Sequence, residues 1–232
     1  MQPTTMINTL DLIIFDCDGV IADSEVLSTR ATAAALAEYG LSLTEKQVAD
    51  LFLGKTLQAG LENIRAQFHQ ELPATFPARK MQLTEAVFRS DLTPVPGVVS
   101  LLDHLALPYC VASNSAHDRL RFTFDATGLS SYFSGRVYSA DDVAQGKPAP
   151  DLFLHAARSQ NTLPHRCLVI DDSPSGVRAA VAAEMPVIGF LGGTHTYPAL
   201  ADQLRDAGAT WIMHDYDEVR ALLGPQYLKE LA

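Results

Sequence analysis

The densest chemistry in the sequence lies at Phe15-Asp16-Cys17-Asp18-Gly19, where the apolar run Leu12–Phe15 ends in two aspartates separated by one residue. In an extended segment, residues i and i+2 point to the same side, so Asp16 and Asp18 converge on one small volume. Two such carboxylates repel. One pKa then moves up unless a cation intervenes, which separates an ionised nucleophile or ligand from a protonatable acid or base. The structural alternative is a turn held by side-chain-to-backbone hydrogen bonds, with Ser24 capping the helix that follows.

Three further stations carry similar possibilities. Tyr109-Cys-Val-Ala-Ser113-Asn114-Ser115 closes an apolar run with hydroxyl and amide donors ahead of a helix N-terminus, an arrangement that suits an anionic oxygen; its plainer reading is a helix cap by Ser115. Gly146-Lys147-Pro148 restrains the backbone around a lysine whose ammonium can reach a phosphate as a point charge, unless it is simply solvated. Cys167-Leu-Val-Ile-Asp171-Asp172-Ser173 ends another apolar run in two acids. Such a pair offers hard oxygen ligands to Mg²⁺, or merely favours a helix N-terminus.

The elements that must position these residues are short apolar runs at Leu12–Phe15, Tyr109–Ala112, Val137–Ser139, Leu168–Ile170, Val187–Phe190 and Trp211–Met213. Helix-length segments separate them, which predicts an α/β fold: a Rossmann-like parallel sheet core flanked by helices. From Asp23 to about Pro94 there is no strand signal. Ser24 opens an alanine-rich helix that stops at Gly40, Thr44 and Gln47 form a capping box, and Pro77 starts a helix running through Phe88. The stretch reads as an inserted helical domain, residues 23–93, within a sheet domain made of residues 1–22 and 94–232, with the stiff turn Thr93–Gly97 marking the return.

Composition bounds the function. The 232 residues are 47% hydrophobic and 19% charged, values of a globular chain, and no apolar run approaches the roughly 20 residues of a membrane span. A formal charge of −10 argues against a nucleic-acid partner, so an anionic substrate must find a local positive site. The first ten residues have no basic and apolar signal regions, which points to a cytoplasmic protein without a membrane partner. The three cysteines lack CxxC spacing and read as buried reduced thiols.

In identity and order, Asp-x-Asp, Ser, Lys and an acid pair resemble the haloacid dehalogenase (HAD) superfamily of phosphohydrolases, and the long first interval matches that family's small helical cap. The resemblance implies that Asp16 attacks phosphorus and forms an aspartyl-phosphate, while Asp18 protonates the leaving oxygen and then activates water. It implies that Ser113, the Asn114 backbone and Lys147 hold the phosphoryl oxygens. Mg²⁺ is then held by the Asp16 carboxylate, the Asp18 backbone carbonyl and Asp172, with Asp171 assisting. A phosphoryl group approaching a carboxylate costs roughly 4 kcal/mol at 4 Å and an effective dielectric of 20, which Mg²⁺ and Lys147 offset.

The wider run DCDGVIADSE resembles the sugar-phosphatase and β-phosphoglucomutase-like branch, nearest to 6-phosphogluconate-type phosphatases. That branch implies a small phosphorylated sugar or sugar acid as substrate, for a monomer or weak homodimer. It also implies a glycine-containing substrate loop after a cap helix, matched here by Gly54-Lys55; a solvated lysine at a helix end is the other reading. Gly192-Gly193-Thr194-His195 follows the fifth strand near the same rim and reads as a loop with a surface histidine. A phosphomutase would share the phosphoenzyme but exclude water from it, a 2-haloacid dehalogenase would need neither Asp18 nor the acid pair, and a binding protein would show a degraded motif.

Overall fold

The computed structural model describes residues 9–52 and 55–229. Within them the chain divides into two compact units, one of residues up to Asp23 together with those from Pro94 on, the other Ser24–Thr93.

The first unit is built on a six-stranded parallel sheet in the order β3-β2-β1-β4-β5-β6. Its strands are β1 (Leu12–Phe15), β2 (Tyr109–Ser113), β3 (Val137–Ser139), β4 (Cys167–Asp171), β5 (Val187–Phe190) and β6 (Trp211–Met213). Each expected apolar run is a strand. β1 reads LIIF, and all four residues are buried, because helices cover both faces of the sheet and no position is left for alternating polar residues. Successive side chains still take opposite faces: Ile13, Phe15, Val111 and Ile170 enter one apolar cluster, Leu12, Ile14, Cys110 and Val169 the other. Each fully buried Leu, Ile or Phe contributes about 1.5–3 kcal/mol, and β1 supplies such residues to both clusters. Cys17, Cys110 and Cys167 are free thiols and buried.

The helical unit contains α1 (Glu25–Glu38), α2 (Glu45–Phe52), α3 (Leu57–Phe68) and α4 (Phe76–Asp91). Its own core gathers Ala35, Leu36, Val48, Leu51, Ile64 and Phe76. The Thr44 capping box is present: Gln47 N–H donates to Thr44 Oγ1 at 3.3 Å and Thr44 N–H to Gln47 Oε1 at 2.9 Å. Ser24 stands at the N-terminus of α1 without a side-chain capping bond, so the capping role considered for it is absent. In the sheet unit, helices α5 (Val98–His104), α6 (His117–Thr127), α7 (Asp151–Ser159), α8 (Pro174–Ala182), α9 (Leu200–Asp206) and α10 (Tyr216–Leu223) link or flank the strands. Among the described residues no helix is long and apolar enough to cross a membrane.

The chain runs β1-β2-β3 toward one edge and then begins again at β4 on the other side of β1. The loops leaving β1 and β4 therefore part in opposite directions and open a crevice at the carboxyl ends of two neighbouring strands, where open α/β sheets bind ligands. Asp16 follows β1, and Asp171 ends β4.

Candidate active site

Strand pairing brings the two acidic stations together. Phe15 lies opposite Ile170, and Asp16 N–H donates to the Ile170 carbonyl at 2.9 Å, so Asp16 leaves β1 level with the Asp171-Asp172 pair. One carboxylate oxygen from each of Asp16, Asp171 and Asp172 lies within 4.8 Å of the others, and all three residues are buried. Lys147 enters from the loop before α7. Its ammonium donates to Asp16 Oδ1 at 2.7 Å and Asp171 Oδ2 at 2.8 Å, and it lies 4.7 Å from the centre of the Phe153 ring. Asp171 is held further by the N–H of Ser173 at 2.9 Å and its hydroxyl at 2.8 Å, both to Oδ1.

The second station is positioned around these. Asn114 brackets the Lys147 backbone, accepting from its N–H at 2.8 Å and donating to its carbonyl at 3.0 Å, so its side-chain amide is spent on holding the lysine. Ser113 is buried at the end of β2 and accepts from Ser115 N–H at 3.2 Å. Ser115 is not the cap of α6, since Ala116 occupies that position. Its hydroxyl donates instead to Asp18 Oδ2 at 2.7 Å, while Arg119, in the first turn of α6, donates to Asp18 Oδ1 at 3.0 Å. Gly19 completes the turn with φ +77°, and a Cβ there would overlap the Asp172 carboxylate, so the left-handed backbone and the close approach both require glycine.

Electrostatics follow from this crowding. Burial pushes the Asp16 carboxyl well above the usual carboxylate range; Lys147 opposes the shift, and Asp171 and Asp172 add to it. Burial likewise raises Asp172, against a lowering by His195. For Lys147, burial alone would depress the ammonium, but Asp16 and Asp171 outweigh it and the net shift is upward. Two carboxylates thus share one ammonium at the carboxyl end of the sheet, with the third, Asp172, beside them. An all-oxygen donor set with excess buried negative charge fits a hard divalent cation.

One sequence expectation changes. His195 is not on the surface: its side chain is 6% exposed, and Nε2 lies 2.8 Å from Asp172 Oδ2. The physical reason is that the loop after β5 folds back over the end of β4, a contact between distant segments that local composition does not report. Lys55 lies in the helical unit, where its ammonium donates to the Asp50 carbonyl at 2.7 Å and the Leu51 carbonyl at 3.4 Å, capping the last turn of α2. Gly54 lies outside the described residues. Sequence reasoning missed Arg119 entirely; its only signal was a cation one helical turn beyond the Ser113–Ser115 donors.

Residues 13–190 match the model of the family described as haloacid dehalogenase-like hydrolase. The chain belongs to this family. Among relatives of this hydrolase, the 6-phosphogluconate phosphatase of Escherichia coli (strain K12) is 29% identical over 190 residues, which are 82% of this chain and 86% of that protein. The probable pseudouridine-5'-phosphatase of Drosophila melanogaster is 35% identical over 188 residues, 75% of this chain and 79% of that one. A HAD family hydrolase of Deinococcus radiodurans R1, solved with bound phosphate and sodium, superposes with a TM-score of 0.78 at 31% identity, covering 93% of this chain and 95% of its own. This HAD hydrolase is a phosphoric monoester hydrolase acting on phosphorylated metabolites.

Proposed function

We propose that this HAD hydrolase is a Mg²⁺-dependent phosphatase of a small sugar phosphate or sugar-acid phosphate, working through an aspartyl-phosphate on Asp16. The observation that carries the reading is the buried Asp16-Lys147-Asp171 ladder beside Asp172, with Asp18 separately held by Ser115 and Arg119. The two carboxylates of the Asp-x-Asp motif have different surroundings, as two different chemical roles require.

In this reading an Asp16 carboxylate oxygen attacks phosphorus, the ester P–O bond breaks, and Asp18 delivers a proton to the leaving oxygen. Water then attacks phosphorus while Asp18 takes its proton, the bond to Asp16 breaks, and phosphate leaves with both aspartates restored. Splitting the displacement into two steps is the general use of a covalent nucleophile. Lys147 has three N–H donors, two committed to Asp16 and Asp171; the third serves a phosphoryl oxygen. Ser113 and the Asn114 backbone serve the others. Asp16, the Asp18 carbonyl and Asp172 would hold Mg²⁺, with Asp171 assisting. When bound, the ion neutralises the negative charge that phosphoryl transfer gathers at the site.

The helical unit Ser24–Thr93 acts as the cap that selects the organic part of the substrate. The sugar-acid phosphate named for the Escherichia coli relative supports a polyhydroxylated substrate, and the phosphate in the Deinococcus radiodurans structure supports the anion site. The test is phosphate release across a panel of sugar, sugar-acid and nucleoside monophosphates, with and without Mg²⁺ and with Asp16→Asn as the blank. Mg²⁺-dependent release concentrated on one sugar class, and none from Asp16→Asn, is the expected result. Turnover by metal-replete Asp16→Asn protein would remove Asp16 as nucleophile.

A further inference from the structure

His195 lies midway along the loop between β5 and α9, whose geometry leaves it one place to go. Thr194 donates through N–H at 3.0 Å and Oγ1 at 2.9 Å to Asp23 Oδ1, which fixes the residue before the histidine. A Cβ on Gly193 would lie 2.7 Å from the His195 ring and 2.9 Å from the Gly19 carbonyl oxygen, so only glycine lets the loop press the imidazole into the turn after β1. There Nε2 meets Asp172 Oδ2 at 2.8 Å, with the two side chains 6% and 7% exposed. Asp172 lies just beyond β4, and the loop after the neighbouring strand β5 supplies the group that holds it.

An N–H directed at one oxygen of a buried carboxylate selects its rotamer and fixes the plane in which the other oxygen points. We propose that His195 is a positioning residue that orients Asp172 toward the divalent cation and thereby sets the protein's affinity for it. The proposal rests on the reading of Asp172 as a cation ligand. Partners that hold a metal's ligands typically govern 10–100-fold of its affinity, and a side chain enclosed by Gly19, Gly193 and the Asp23-anchored Thr194 has the rigidity such a role needs.

The test is calorimetric titration of Mg²⁺ into the metal-free full-length chain, beside thermal melts in chelator. His195→Ala should weaken the Mg²⁺ Kd 10–100-fold, and His195→Gln, whose terminal amide donates from a comparable reach, should recover most of that loss. A histidine that only packs the loop would lower the melting temperature and leave the Kd alone. If folded His195→Ala binds Mg²⁺ within twofold of wild type while Asp172→Asn loses binding, the inference is wrong and the ligand reading stands. If Asp172→Asn itself binds as tightly as wild type, both fall. Should His195→Ala not fold, His195→Asn keeps the amide but is too short to reach Oδ2, and it must show the same weakened Kd.

Discussion

Replacing Lys147 by methionine keeps an unbranched stem that packs on Phe153 and removes the ammonium joining Asp16 to Asp171. The three side chains are 3%, 12% and 0% exposed, so water cannot solvate the carboxylates left behind. Breaking a buried pair by deleting one partner costs about 3–5 kcal/mol. For a chain of this size each kcal/mol shifts Tm by about 2–4 °C, so metal-free Lys147→Met should melt roughly 6–20 °C below wild type at pH 8.

The loss should shrink as pH falls. Asp16 is already raised by burial, and Lys147 is the group that opposes the shift, so in the variant its carboxyl rises further. A carboxylate whose folded pKa exceeds its unfolded value binds more protons folded than unfolded between the two, and stability falls as pH rises through that window. The variant should therefore lose less at pH 5 than at pH 8. Mg²⁺ at 100 times its Kd adds about 2.7 kcal/mol to any folded state that binds it. At one fixed Mg²⁺ concentration the variant, with one more uncompensated negative charge at Asp16 and Asp171, should bind the ion more tightly and gain more than wild type. Melts by circular dichroism in chelator, at both pH values, and with Mg²⁺ titrated back, read all three. A metal-free Tm within about 2 °C of wild type at pH 8, where 3–5 kcal/mol is expected, would refute the claim that this ammonium holds the site together.

Three other outcomes follow from the same geometry. Asp18→Asn should lose 10²–10⁴-fold in kcat on alkyl phosphates, as removal of a general acid does, and far less on p-nitrophenyl phosphate, whose leaving group needs no proton; equal losses on both would deny Asp18 the acid role. Gly19→Ala must force a β-carbon onto a φ of +77° and against Asp172, costing at least about 1–2 kcal/mol, and should show both a lower Tm and weaker Mg²⁺ binding. Burial raises the thiols of Cys17 and Cys110 and pushes Cys167 up to about 12, so thiol reagents at pH 8 should label them only as fast as the protein unfolds; rapid labelling of the native protein would contradict the buried placement.

The sheet was legible because parallel strands covered on both faces are written as unbroken apolar runs, and LIIF or CLVI can do little else between helix-length segments. The acids at their ends were legible because strand polarity puts every C-terminal residue on one edge. What escaped was each contact made by a loop returning from elsewhere. Ser115 looked like a cap and serves Asp18, 97 residues away. His195 looked solvated and lies buried on Asp172.

The order of the sheet also sets an order of events during synthesis. β1 stands between β2 and β4, and its Ile13 pairs with Tyr109 and Leu168, so the strand that leads into Asp16 has no neighbour until about 96 later residues have been made, and gains its second only after about 155. At roughly 5–20 residues per second, that is about 5–20 s of translation before the first pairing and about 8–30 s before the second. Ser24–Thr93, by contrast, closes its core from helices all within its own span. The nascent chain therefore carries a finished helical body tethered to a bare apolar strand. Holdase chaperones and the ribosome surface would meet Leu12–Phe15 first, long before any substrate does.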